Sequence, residues 1–483
     1  MIERRRMAWM PVGLISAAVV ALLLAGSRGY GYHRDELYFR LLGQHPQWGY
    51  VDQPPFTPLA DRLAIEIFGD TVWAMRVPAA LILGLSALVA ALIAREIGGG
   101  AVAQSLAASG ALGAVPLSAA HVGSTANVDI LVWLGVILFV LRALLHDDRR
   151  AWLWAGLVTG LGLYNKLLVV LLLMCLAAGV LLVGPRRVLR SPWLWAGAGI
   201  AALVGLPNLV YQVANDFPQL KMASALAGEK GDDSRILLLP FQVLLLALPP
   251  VWIAGMVTLF RNPPLRNARA LAVAYVLMVV LVFATAGQPY YPMGILYGLY
   301  AVGAVPTERW LAGRRGRQIV LAGALVILTA IGVVSALPVL PVDRAAGVAA
   351  GNGTVADQIG WPEYVRQIAD VFASLPPADQ RRAVLFTGNY GEAGALDRYG
   401  RAYRLPAVYS GQNELHHYGP PPDDKTVAIV VTEGSPDLLG PCSDRGTLHN
   451  SYGVDNEELG AHVYVCHPAQ RWSAVWPQLQ HYS

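Results

Sequence analysis

The sequence predicts a polytopic α-helical membrane protein with about eleven transmembrane helices and an extracytoplasmic α/β domain at its C-terminal end. Three observations carry this. The 483 residues are 55% hydrophobic and 14% charged, whereas soluble domains carry about 25% charged residues. Apolar segments near the ~20 residues needed to cross a bilayer recur up to about residue 340. Beyond residue 341 the charges rise and Pro and Gly multiply.

The expected spans are 8–25, 72–95, 101–120, 128–145, 151–164, 167–184, 193–212, 236–260, 268–286, 289–306 and 318–340. The segment 151–164 is short and reads as running past Lys166 as a kinked helix. Arg4 to Arg6, Arg149 and Arg150, Arg186 to Arg190, Arg261 to Arg269 and Arg309 to Arg317 fall in alternate loops. The positive-inside rule makes those loops and the N-terminus cytoplasmic. The loop after the first span, the 121–127 and 213–235 loops and the whole C-terminal domain are then outside, at a cell inner or plasma membrane. A signal peptide is the alternative for residues 8–25, with Ala25-Gly26-Ser27 behind them, but the apolar run is long for that. The net charge of +4 is spread over short loops, so it gives no nucleic-acid signal.

The domains are read as 1–341, with a first external loop at 26–71 that carries the site, and 342–483. That loop contains YGYHRDELYFRLLGQHPQWGYVDQPPFTP from Tyr30 to Pro58, with Asp35 and Glu36 adjacent and Asp52 ahead of Pro54-Pro55. Carboxylates beside a membrane surface need a reason; the plain alternative is a solvated loop with two turns. Glu36 to Leu42 and residues 56–68 have helical apolar faces, with Phe56, Leu59, Ala60, Leu63 and Ile67 in register and Asp61, Arg62 and Glu66 elsewhere. Two such helices are expected to lie in the interface plane.

Asp129 opens an otherwise apolar span, where a carboxylate is costly unless it faces a wet cavity or a partner; a helix N-cap is the plainer role. Lys166 lies between apolar runs and either snorkels or meets an anion. The 213–235 loop is long, and long loops are often functional. Tyr290 and Tyr291 suit the interfacial aromatic belt.

In the C-terminal domain, 383–387, 426–432 and 462–466 read as strands, and 362–375 and 392–399 as helices. Gly388 to Glu392 is an anion-cradle candidate, though a plain strand-to-helix turn is the commoner outcome. Cys442 and Cys466 lie outside, where a disulfide persists; Cys175 reads as a small apolar filler. No metal-ligand spacing is present, and His416 and His417 read as surface residues.

The acidic pair in the first external loop, the Gly-Tyr-x-acid-x-Pro-Pro at 49–55, Phe68-Gly69 and Arg76 resemble the dolichyl-phosphate-mannose protein mannosyltransferases, glycosyltransferase family 39, and their aminoarabinose lipid A transferase relatives. The likeness covers roughly residues 30–300. Gly388 to Gly394 and the closing Trp-Pro resemble the tails of bacterial members. Gln288 departs from the pattern, because many bacterial relatives carry a Lys there.

The resemblance implies a GT-C-type inverting enzyme. It would move a sugar, mannose or another hexose or pentose, from a polyprenyl-monophosphate donor to an extracytoplasmic protein, lipid, glycan or peptide. No cofactor or metal is expected beyond this donor, and no nucleic acid. Asp35 is the expected base, with Glu36 as its orienter and a like charge that raises its pKa. His33, Asp52, Asp129, Tyr290 and Tyr291 are expected to contact substrate, and Lys166 and Arg76 the phosphate. The rivals are a transporter or lipid-linked sugar flippase, and a metal-dependent oligosaccharyltransferase-like enzyme. Carboxylates gathered on the outer side favour surface chemistry over transport.

Overall fold

A computed structural model describes residues 2–483. Its N-terminal part forms helices α1 (Trp9–Gly26), α2 (Arg34–Gln44), α3 (Phe56–Phe68) and α4 (Val72–Glu96). The chain divides into two units. One holds Met1–Ser27, Gln53–Thr57 and Arg76–Leu337; the other holds Arg28–Asp52, Pro58–Met75 and Pro338–Ser483. The acidic loop is thus grouped mostly with the C-terminal residues, not with the membrane helices.

The first unit is helical at every segment read as a span. Among the described residues five helices are long and apolar enough to cross a membrane, and up to eight if each bent pair is one span. The bends of 55°, 58° and 90° fall between Ala101–Leu112 and Ala114–His121, between Pro192–Val204 and Leu206–Ala214, and between Gly231–Leu244 and Pro249–Arg261. Pro207 and Pro249 follow the second and third breaks, where a missing N–H interrupts the ladder. The segment expected to run past Lys166 stops at Gly162, and a new helix starts at Leu168. The expected 213–235 loop is mostly helix, Pro218–Leu244. Pro218 at its first turn and the helix formers Met222 to Leu226 explain it.

Small residues set the packing in this unit. A Cβ on Gly303 would stand 1.7 Å from the carbonyl oxygen of Val251, and one on Gly255 2.1 Å from that of Leu299. The Pro249–Arg261 and Met293–Leu311 helices therefore cross backbone to backbone, a close approach that small residues permit in lipid. At another point Glu96, fully buried at the end of α4, pairs with Arg4 at 2.6 Å and Arg142 at 2.9 Å. These contacts tie Arg4 to the ends of two helices.

The second unit contains strands β1 (Ala383–Thr387), β2 (Val408–Ser410), β3 (Val427–Thr432), β4 (Cys442–Thr447) and β5 (His462–Cys466). The sheet order is β2-β1-β3-β5-β4. β1 runs parallel to β2 and β3, while β5 is antiparallel to β3 and β4. Alternate residues fill opposite layers. Leu385, Ile429, Val431, Val463 and Val465 pack with Trp361, Ile368 and Leu396; Phe386, Val430, Trp472 and Trp476 pack on the other side. Cys442 and Cys466, a cross-strand pair, are joined by a disulfide.

The two amphipathic helices behave differently. α2 has its apolar face covered by protein: Leu37, Tyr38, Phe39 and Leu42 are buried among residues of the C-terminal segment. Gly394 permits this, since a Cβ there would stand 2.7 Å from the Leu37 backbone. In α3 the apolar row stays exposed, with Phe56 39%, Leu59 40%, Leu63 58% and Ile67 61% exposed, while Asp61 is buried. An outward apolar stripe is what a helix at a lipid interface presents.

Candidate active site

The expected site residues fall into two groups, one in each unit. In the second unit His33 ends the extended approach to α2 and caps it. Its Nδ1 accepts the Asp35 backbone N–H at 3.1 Å, and Glu36 accepts the His33 N–H at 2.7 Å. This is a capping box with His in the first position. Glu36 thus fixes the helix start, and it is 1% exposed.

Asp35 is held from the other end of the chain. Tyr390 Oη donates to Asp35 Oδ1 at 2.8 Å and accepts from Arg34 Nη2 at 2.7 Å and Nε at 3.2 Å. Arg34 Nε stands 3.6 Å from Asp35 Oδ1, and the guanidinium also pairs with Glu457. His33 stands between two carboxylates, its Nδ1 3.9 Å from Asp35 and its Nε2 3.9 Å from Asp357. Burial alone would raise the Asp35 carboxyl. The neighbouring His33 and Arg34 and the Tyr390 hydrogen bond outweigh it and hold the carboxyl below the ordinary range. The sequence reading had this sign reversed. The carboxyl that Glu36 raises is that of Asp61, which burial also pushes well above its usual value.

Asp52 has the opposite environment. Burial pushes its carboxyl up to about 7; the charges of Glu414 and Asp35 add to this, while the 3.2 Å hydrogen bond from Tyr38 only partly opposes it. Glu414 accepts the Val51 N–H at 2.9 Å and Gln47 Nε2 at 3.0 Å. The Asp35 and Asp52 environments therefore favour different protonation states near neutral pH.

In the first unit, Lys166 lies in the turn after Gly162. Its Nζ faces the rings of Tyr291 at 5.2 Å and Tyr290 at 5.7 Å, within cation–π range. Asn165, next to it, donates to Asp129 Oδ1 at 2.9 Å and to the Thr125 carbonyl at 2.9 Å, and accepts from Thr57 at 3.3 Å. Phe56 N–H donates to the Tyr164 carbonyl at 2.9 Å. The turn thus fastens the chain segment that follows Asp52. Asp129 is not an N-cap: Ser124 occupies that position and Asp129 sits inside the first turns of the Thr125–His146 helix. Asp129, Tyr290 and Tyr291 line a cavity of about 10 Å³, at the lower limit for one water. Arg76 is 1% exposed, with Nη1 3.1 Å from His121 Nε2 and 3.5 Å from the Ser27 carbonyl oxygen.

The sequence reading missed Arg34, Tyr38, Asn165, Glu414 and above all Tyr390. Only the Gly388 to Gly394 motif signalled the last. That motif is no anion cradle, because its donors are engaged: Gly391 N–H bonds Asn389 Oδ1 at 2.6 Å, Tyr390 N–H bonds Gln412 at 2.5 Å, and Asn389 N–H bonds Glu392 at 3.2 Å.

Residues 52–211 match the family described as dolichyl-phosphate-mannose-protein mannosyltransferase. Among solved structures, ArnT from Cupriavidus metallidurans bound to undecaprenyl phosphate is similar with a TM-score of 0.60 at 16% identity, over 96% of this chain and 99% of that one. The arabinofuranosyltransferase AftD from Mycobacteria gives 0.53 at 14% identity, over 97% of this chain and 41% of that one. The Archaeoglobus fulgidus oligosaccharyltransferase in complex with Zn and sulfate gives 0.51 at 13% identity, over 82% of this chain and 62% of that one. No curated protein sequence matches significantly. The chain shares the fold of these solved structures, carries helices long and apolar enough to cross a membrane, and over residues 52–211 matches the dolichyl-phosphate-mannose-protein mannosyltransferase family.

Proposed function

We propose that the protein moves a sugar from a polyprenyl monophosphate to an acceptor hydroxyl or amine outside the cytoplasm, with the Arg-rich loops inside and the C-terminal domain outside. The family match supports glycosyl transfer, and the undecaprenyl phosphate bound to ArnT supports the donor class. The observation that carries the chemistry is Asp35, an ionised carboxylate with 34% of its side chain exposed and one oxygen fixed by Tyr390.

In this reading the acceptor attacks the anomeric carbon opposite the phosphate. The carbon–oxygen bond to phosphate breaks and its electron pair leaves with the phosphate. Asp35 takes the acceptor's proton, and a single displacement inverts the centre. The phosphate leaves as an anion and needs a cation rather than a general acid. Lys166 is assigned that role, with Tyr290 and Tyr291 holding the ammonium. Asp129 and Asn165 are assigned to the sugar. Arg76 is engaged by His121 and the Ser27 carbonyl, so it reaches phosphate only if those contacts give way.

Asp52 supports a second reading. Its pKa of about 7 suits a general base better than a depressed one. Asp35→Asn and Asp52→Asn, assayed in membranes with authentic polyprenyl-phosphate sugar, separate the two. The first reading requires turnover to fall about 10²- to 10⁴-fold in Asp35→Asn with donor binding kept. Wild-type turnover in Asp35→Asn together with loss in Asp52→Asn assigns the proton to Asp52.

A further inference from the structure

The second unit joins the first external loop to a helix formed more than 300 residues later. The Tyr390–Tyr399 helix approaches α2 closely at two glycines: Cβ atoms on Gly391 and Gly394 would stand 2.9 Å from Arg34 Cβ and 2.7 Å from the Leu37 backbone. At the end nearest Asp35 this packing inserts one phenol, 8% exposed, between a guanidinium and a carboxylate. The phenol accepts two hydrogen bonds from Arg34, so its own proton is committed to Asp35 Oδ1. Its ring is fixed by stacking on Tyr38, with centroids 4.6 Å apart, and Tyr38 in turn donates to Asp52. Among the described residues Asp35 Oδ2 accepts no protein hydrogen bond, which leaves one lobe of the carboxylate open.

We propose that Tyr390 is a positioning residue for Asp35, and that the C-terminal α/β unit is therefore a working part of the transferase site rather than an appended domain. This rests on the reading of Asp35 as the base. Arg34 and Tyr390 together fix which oxygen of Asp35 is occupied and which is free to take a proton. The other charged groups around the carboxylate are His33, which faces Asp357, Asp52, and Glu457 through Arg34. None of these donates a hydrogen bond to it.

Tyr390→Phe is the test, since it keeps the stacked ring and removes only the hydroxyl. With purified full-length enzyme and polyprenyl-phosphate sugar, kcat is expected to fall about 10-fold, the effect of losing one hydrogen bond to a charged group. Donor KM should stay within about 2-fold, and the acid limb of the kcat profile should move to higher pH, because a carboxylate that loses a donor becomes more basic. Gly394→Leu, which loosens the helix approach itself, should lower kcat with the hydroxyl still present. A Tyr390→Phe enzyme with wild-type kcat and an unmoved acid limb overturns the proposal, provided Asp35→Asn is inactive in the same assay. An equal loss at every pH, with no shift of the limb, overturns it too, because it marks a structural role only. If Asp35→Asn is itself active, the reading of the base has failed instead, and the Tyr390 result then speaks only to the fold.

Discussion

Tyr38 and Tyr390 stack with ring centroids 4.6 Å apart and an interplanar angle of 28°, and each donates its hydroxyl to a different carboxylate, Asp52 and Asp35 respectively. The pair is a double clasp. One ring belongs to the loop after the first span and the other to the C-terminal segment. Two carboxyls with opposed pKa shifts are the arrangement expected where one group stays ionised and the other exchanges a proton near neutral pH.

Asp52 should give the protein a measurable pH signature. Its folded-state pKa, about 7, lies above the ordinary 3.8. A raised carboxyl contributes stability fully below the ordinary value, and that contribution is lost as pH rises from about 4 through 7. Asp52→Asn should therefore flatten this part of the stability curve and leave the variant relatively more stable above pH 7. Thermal unfolding of wild type and variant at pH 5, 7 and 8.5 checks it. Parallel curves would show that Asp52 does not titrate there.

Lys166 should act on donor binding rather than on proton transfer. Lys166→Ala is expected to raise donor KM about 10- to 100-fold, the loss of a charge-assisted contact to phosphate. Turnover at saturating donor should change far less. Titration with polyprenyl phosphate lacking the sugar should show the same weakening. An unchanged affinity for that lipid removes Lys166 from the phosphate site.

Arg40 should matter to stability alone. Its guanidinium is 9% exposed and donates to both oxygens of Asp70, at 2.7 to 3.1 Å, and to Asp397 at 2.5 Å. Removing one partner of a buried pair typically costs about 3–5 kcal/mol. Asp70 and Asp397 are 37% and 20% exposed and recover some hydration, so Arg40→Met should cost about 2 kcal/mol. Denaturant unfolding in detergent measures it, and a cost under about 0.5 kcal/mol would mean the network adds nothing.

Much of the fold was legible in the sequence because it is written locally. β1, β3 and β5 are continuous apolar runs, and a buried strand leaves that pattern. β4 is Cys-Ser-Asp-Arg-Gly-Thr, mostly exposed, with no apolar signal; only its pairing with β5 and the disulfide define it. The span near Lys166 was misread because Tyr164-Asn165-Lys166 carries no Pro or Gly to announce the turn that its hydrogen bonds make. α3 shows a different limit. Its amphipathic pattern was plain, but a pattern does not say which face is covered, and here the apolar row of Phe56, Leu59, Leu63 and Ile67 faces outward while Asp61 is buried. The sign of the Asp35 shift was missed because the neighbours His33 and Arg34, which lower it most, are not counted when only the adjacent Glu36 is weighed, and because Tyr390, which adds a hydrogen bond, is remote in sequence.

The burial of α2 sets an order of events during biogenesis. Asp35 follows the first span directly, yet the core that Leu37 joins is built largely from Trp361, Ile368, Leu396 and residues of β1, β3 and β5. Until translation reaches those residues the acidic loop has no core to join. A chain stopped before Trp361 therefore leaves Asp35 without the residues that hold it. An anchored Asp35 is in that sense a report that translation has passed the β-sheet.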